Sequence, residues 1–243
     1  MLSEKPWKPD LVLRLLAGLF SSMLLGVLIV NGYESLAGEV GKRGRDFFIF
    51  IVGVFSFHGV GIVLVNVFLR QHGMSWQQAF GFNSPRVGRA VSLALVVGVF
   101  ILPIAWELSD LSAKALHFLN WRVEQQTAVQ IMQNATSRWH LFYQAVAAII
   151  IAPFVEETIF RGILYPTIKQ LGFRKAALWG TSLFFAFTHA NLVIFLPLVV
   201  LAIILTLLYE TTNNLLAPIV THSFFNAANF AYLLWIKHKS GSL

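Results

Sequence analysis

The feature that most restricts the fold is a series of long apolar runs, the first being "LVLRLLAGLFSSMLLGVLIV" at 11–30. A helix needs roughly 20 such residues to cross a bilayer core, and seven segments reach or approach that length. They cover about 11–31, 47–69, 90–108, 139–166, 175–190, 192–210 and 215–236. Composition agrees: 57% of the 243 residues are hydrophobic and only 12% charged, against about a quarter charged in soluble domains. The expectation is an all-α, polytopic transmembrane bundle of about seven spans. No composition shift or internal repeat divides it. Within this one bundle, 1–138 supplies N-terminal membrane helices with interfacial connections, and 139–236 supplies a core of four membrane helices.

Details qualify the spans. The fifth is short and the sixth contains Pro197, which predicts irregular or tilted helices. Pro153 lies inside the fourth and predicts a kink that frees a backbone carbonyl. In the 70–89 connection, Trp76, Ala79 and Phe80 of "MSWQQAFGF" fall at helical spacing and predict a short interfacial helix. In 109–138, Leu116, Leu119 and Val123 share a face before the sequence turns polar, as in an interfacial helix, a lateral lid or, the reading preferred, bland surface structure. The N-terminal run is too long for a signal-peptide core and reads as a retained first span.

The net charge of +7 raises the question of nucleic acid. Yet Lys and Arg cluster beside apolar runs, as in "KRGR" at 42–45 and "KHK" at 237–239, so anionic headgroups are their expected partners and nucleic acid is not. Basic residues divide almost evenly between the two sides, and the basic 167–174 turn favours an N-terminus inside. Cysteine is absent, which removes disulfides, thiolate ligands and a thiol nucleophile.

Against this background "IAPFVEETIFRGILYP" at 151–166 is anomalous. One charge at a bilayer centre costs about 2.5–3.5 kcal/mol on insertion scales, and here there are three. Glu157 and Arg161 are four apart, acid first, the better order for a pair on one helix face. A structural bridge accounts for them. Glu156, about 100° round the helix, is left needing a proton, a partner or a metal, and a buried carboxyl suits general acid–base work.

Two further polar groups stand in late spans: Phe185 with His189 in "FFAFTHAN", and His222 with Asn226 in "THSFFNAAN". Alone, each reads equally as a means of hydrogen-bonding helices. Depth argues otherwise. Measured from one membrane face at 1.5 Å per residue, Glu156, His189, His222 and Asn226 lie about 15, 21, 10 and 16 Å deep. Convergence on one site is the expectation. His58 and Asn66 in the second span are read as satisfying helix contacts, while Glu107 and Glu210 mark span ends.

Absences narrow the chemistry. Asp10, Asp46 and Asp110 all sit at span edges, so an intramembrane aspartyl dyad is excluded; neither Gly-x-Ser-x-Gly nor His-Glu-x-x-His occurs. A glutamate and a histidine can hold and deprotonate a water, and a second histidine and an asparagine can stabilise the oxyanion formed at a carbonyl. That is peptide hydrolysis in a membrane cavity.

Glu156-Glu157-x-x-x-Arg161, Phe185-x-x-x-His189 and His222-x-x-x-Asn226, in this order over about 139–236, resemble the motif set of the CPBP family. That family contains the CAAX prenyl endopeptidases of the Ras-converting type and the Abi-type bacteriocin-processing and immunity proteins. "SWQQAFGF" is also similar to an upstream stretch in bacterial members. The resemblance implies an intramembrane endopeptidase in a bacterial cell membrane, acting on a peptide or protein with or without a lipid modification. It assigns water activation to Glu156 and His189, the oxyanion hole to His222 and Asn226, and support to Glu157, Arg161 and Phe185. No cofactor is favoured; the alternative is zinc on Glu156, His189 and His222 with water in the fourth position. A non-enzymatic immunity or scaffold protein, and a proton-coupled transporter, are the other classes that these groups allow.

Overall fold

The computed structural model describes residues 2–36, 42–121, 125–135 and 137–239. Val123, one of the apolar face expected in the second connection, and the side chains of Lys42 and Arg43 in the basic cluster lie outside them. Among the described residues the chain forms nine helices and no strand: α1 (Pro9–Leu36), α2 (residues 42–71), α3 (Trp76–Phe80), α4 (Val87–Phe118), α5 (Thr127–Asn134), α6 (residues 138–170), α7 (Arg174–Thr188), α8 (Leu192–Thr212) and α9 (Leu216–Lys239).

Each segment expected to cross is helical. Four helices are long and apolar enough to cross a membrane unaided: Pro9–Leu36, Gly44–Gln71, Val87–Phe118 and Leu192–Thr212, the last with a mean hydropathy of 3.0. They mark an integral membrane protein. The helices α6, α7 and α9 are less uniformly apolar or shorter, and these three carry the polar constellations.

Helix α6 is the centre. It touches α2, α3, α7, α8 and α9, while α1 packs along α2 and both α8 and α9 pack along α4. Every residue from 157 to 167 is buried, as expected of a helix enclosed on all sides. α6 is not a regular α-helix: residues 147–151 and 158–164 are π-helical. Each wide segment precedes a proline, Pro153 or Pro166. A proline ring collides with the carbonyl four residues back and offers it no N–H, and i→i+5 spacing relieves the collision.

The orphaned carbonyls are then taken from outside. In the first segment Ala152 N–H bonds Ala147 O five residues back, so Pro153 leaves Ala148 O open, and the Asn226 amide donates to it at 2.8 Å. In the second segment, one turn before Pro166, Gly162 O accepts from the Trp7 indole at 2.8 Å. The expected freed carbonyl is therefore present, but on Ala148, two turns before the carboxylates rather than beside them, and it ties α6 to α9.

Two connections depart from expectation. Helix α3 forms where predicted, with a capping box between Ser75 and Gln78. However, Ala79 and Phe80 are fully buried, Trp76 stacks on Phe154, and Phe80 O accepts from Leu215 N at 2.9 Å. It is a wedge in the bundle rather than a helix on the interface. A Cβ at Gly162 would stand 2.7 Å from the Phe80 ring, so only glycine admits this wedge. Helix α4 runs to Phe118 instead of ending near 108, because the polar residues after Glu107 are exposed along a continuing helix. Glu107 is therefore inside the helix.

Residues 2–8 strap four helices together. Leu2 N donates to Glu210 Oε2 at 3.2 Å, Lys5 Nζ to Ala79 O at 2.8 Å, and Lys8 N to His72 Nε2 at 3.0 Å. Glu210 also accepts from Tyr165 at 2.7 Å and pairs with Lys169. Burial holds the Lys5 amine below its ordinary pKa.

Trp7→Phe keeps the ring and leaves Gly162 O unpaired, at an expected cost of about 1–3 kcal/mol. Gly162→Val, which drives a branched chain into Phe80, is expected to cost at least as much. Thermal unfolding in detergent measures both.

Candidate active site

Glu157, Arg161 and His222 form the buried core of the site, with exposures of 0%, 1% and 2%. Arg161 Nη1 donates to Glu157 Oε1 at 2.8 Å, the i,i+4 pair expected from the sequence. Arg161 Nη2 reaches Ala202 O on α8 at 3.2 Å, and its guanidinium lies 4.5 Å from the Phe185 ring centroid, a cation–π contact strengthened by desolvation. His222 Nδ1 lies 2.8 Å from the same Glu157 oxygen. A carboxylate only accepts, so Nδ1 carries the proton. One carboxylate oxygen thus joins α6 to α9.

Glu156, on the next face of α6, has two imidazoles beside it. His222 Nε2 is 4.0 Å from Glu156 Oε2, and His58 Nε2 is 3.5 Å from Glu156 Oε1. Glu156 Oε2 is buried and has no hydrogen-bond partner among the described residues.

Phe185 stands between the remaining groups. Its ring centroid is 5.7 Å from that of His222 and 4.9 Å from that of His189. His189 Nδ1 is 2.9 Å from Phe185 O. Because a carbonyl only accepts, Nδ1 again holds the proton, and Nε2 keeps a lone pair. Asn226 lies one turn beyond His222, and one N–H of its amide is spent on Ala148 O.

Of the expected residues, then, Glu157, Arg161, Phe185 and His222 form one connected group, and Glu156 lies beside it, 4.0 Å from His222. His189 joins them across Phe185, and Asn226 is anchored on the adjoining wall. Among the described residues no three His, Asp or Glu side chains are grouped to hold a metal ion. The trio Glu156, His189 and His222 is not such a group; the third side chain beside the Glu156–His222 pair is His58.

His58 is the residue that sequence reasoning placed wrongly. Read as a helix contact, it faces Glu156. The available signal was its depth near the middle of an apolar run; it has no polar companion one turn away to show which way it points.

Residues 138–228 match the Rce1-like family, described as type II CAAX prenyl endopeptidase. The match covers less than half of the chain and includes Glu156, Glu157, Arg161, Phe185, His189, His222 and Asn226. His58 and the first five helices lie outside the Rce1-like segment. No curated protein matches, and no solved structure matches.

Arg161→Met leaves the Glu157 charge buried with His222 alone and is expected to destabilise the protein by about 3–5 kcal/mol. The Glu157→Gln/Arg161→Met double variant removes both charges and is expected to recover part of that loss in the unfolding midpoint.

Proposed function

We propose that the chain is an intramembrane endopeptidase in which Glu156 activates a water molecule for attack on a peptide carbonyl. The observation that carries this reading is the Glu156 carboxylate, held between His58 and His222 with Oε2 unpartnered. A buried, unsatisfied polar atom costs about 1–3 kcal/mol. A site that exists to bind a polar reactant has reason to retain it.

In the proposed reaction a water bound by Glu156 and His189 Nε2 gives a proton to Glu156 as its oxygen bonds to the carbonyl carbon. His222, doubly protonated, donates Nδ1–H to Glu157 and Nε2–H to the oxyanion, and Asn226 supplies its second amide N–H. Collapse breaks the C–N bond, and the proton on Glu156 passes to the leaving amine. Preorganised donors of this kind are worth about 10²–10³ each in rate. Glu157 and Arg161 hold His222 and keep the charges balanced. No step passes through a metal, so a chelator is expected to leave turnover unchanged.

On this reading all seven expected spans lie in the bilayer, residues 139–236 are the catalytic core and 1–138 its scaffold, in the cell membrane of a bacterium. The substrate is a peptide, and the description of the matching family makes a prenylated C-terminal segment the first to test beside its unmodified counterpart.

Glu156→Gln is expected to keep its unfolding midpoint and lose at least about a thousandfold in cleavage rate, within the range for a general base. In cells, mass spectrometry of membranes carrying this variant is expected to find uncut peptides absent with the wild type. Full complementation by Glu156→Gln would instead point to a non-enzymatic immunity or scaffold role.

A further inference from the structure

His58 lies on α2, outside the Rce1-like segment, in a third π-helical stretch, Val54–Gly59. Its side chain is 16% exposed, and its Nε2 is 3.5 Å from Glu156 Oε1. Neither ring nitrogen has a hydrogen-bond partner among the described residues.

The residue that caps the end of α2 shows what a structurally satisfied histidine looks like. His72 Nδ1 bonds Phe68 O at 2.8 Å, and its Nε2 accepts Lys8 N at 3.0 Å. Both nitrogens are used within the protein frame. His58, among the described residues, instead pairs with the Glu156 carboxylate.

Three features build this approach rather than permit it. A Cβ at Gly61 would stand 2.9 Å from Val155 Cγ1, so glycine brings α2 against α6 next to Glu156. Ser22 on α1 donates to Ser56 O at 2.6 Å, within the wide turn that carries His58. Third, Glu156 Oε1 faces His58 while Oε2 faces His222, so the two imidazoles approach the carboxylate from different helices.

We infer that His58 is a positioning residue: its Nε2–H holds Glu156 Oε1, so that Oε2 is the oxygen presented to the reacting water. This rests on the endopeptidase reading and adds to it a group from the scaffold half of the chain. The carboxylate of a glutamate turns about a soft torsion. With Oε1 held, one rotamer remains, and the base meets its water in one geometry. Misplacing a catalytic group by about 1 Å can cost on the order of 10²-fold.

The test uses the purified full chain in liposomes with a cleavable peptide. His58→Phe, which keeps the ring volume and removes the donor, is expected to lower kcat by about 10- to 100-fold with KM within about twofold. His58→Gln, whose amide nitrogen reaches about as far as Nε2, is expected to restore most of kcat. His58→Asn, too short to reach, is expected to behave as His58→Phe does. A packing role predicts the reverse order, with the aromatic replacement active and the glutamine impaired, and that order overturns the inference. Should His58→Phe not fold, the Gln and Asn variants decide it: equal kcat in both overturns the inference. Glu156→Gln in the same assay separates the two levels, because activity there removes Glu156 as the base on which the proposed function rests, whereas an inactive Glu156→Gln beside a fully active His58→Phe removes only the role of His58.

Discussion

One oxygen atom organises this protein: Glu157 Oε1, which accepts from Arg161 on its own helix and from His222 on α9. In a medium without water a carboxylate cannot remain charged unless its partners are supplied by the chain. The pairing is therefore not an ornament on an already stable bundle. It fixes the rotation of α6, the depth of α9 against it and, through the guanidinium stacked on Phe185, the position of α7. Once Glu157 points into this knot, its neighbour must leave the helix about 100° away, into the space between α2 and α9. Glu156 is placed by the requirements of Glu157.

The backbone obeys the same rule. Two prolines interrupt α6, and each disrupts the ladder where nothing polar from solvent can repair it. The repairs come from the ends of the chain: the Trp7 indole fills one acceptor and the Asn226 amide the other. Irregular backbone at membrane depth is tolerated where protein satisfies it, and here the satisfaction is also what binds the first residues and the last helix to the middle of the structure.

What the sequence made legible was depth, and what it hid was azimuth. Position along a helix axis follows from counting residues, so Glu156 and His222 were expected at similar heights, as their 4.0 Å separation requires, and the i,i+4 relation of Glu157 to Arg161 could be read directly. Rotation about the axis accumulates at 100° per residue and is lost across π-helical turns, whose wider spacing shifts each later side chain round the helix. Counting gave no means to see that His222 bonds Glu157 and only approaches Glu156, or that His58 turns inward. The helix Trp76–Phe80 shows the same limit: its spacing predicted a helix, but only Gly162, with no side chain to obstruct Phe80, reveals that it enters the bundle.

The chemistry assigned to this geometry requires a water molecule to attack the substrate directly. A single turnover of purified protein with a cleavable peptide in ¹⁸O-labelled water, run with hydroxylamine present, tests that requirement most directly. The account predicts one ¹⁸O in each newly formed carboxylate and no hydroxamate. A hydroxamate product, the mark of an acyl group carried on a side chain, would contradict it.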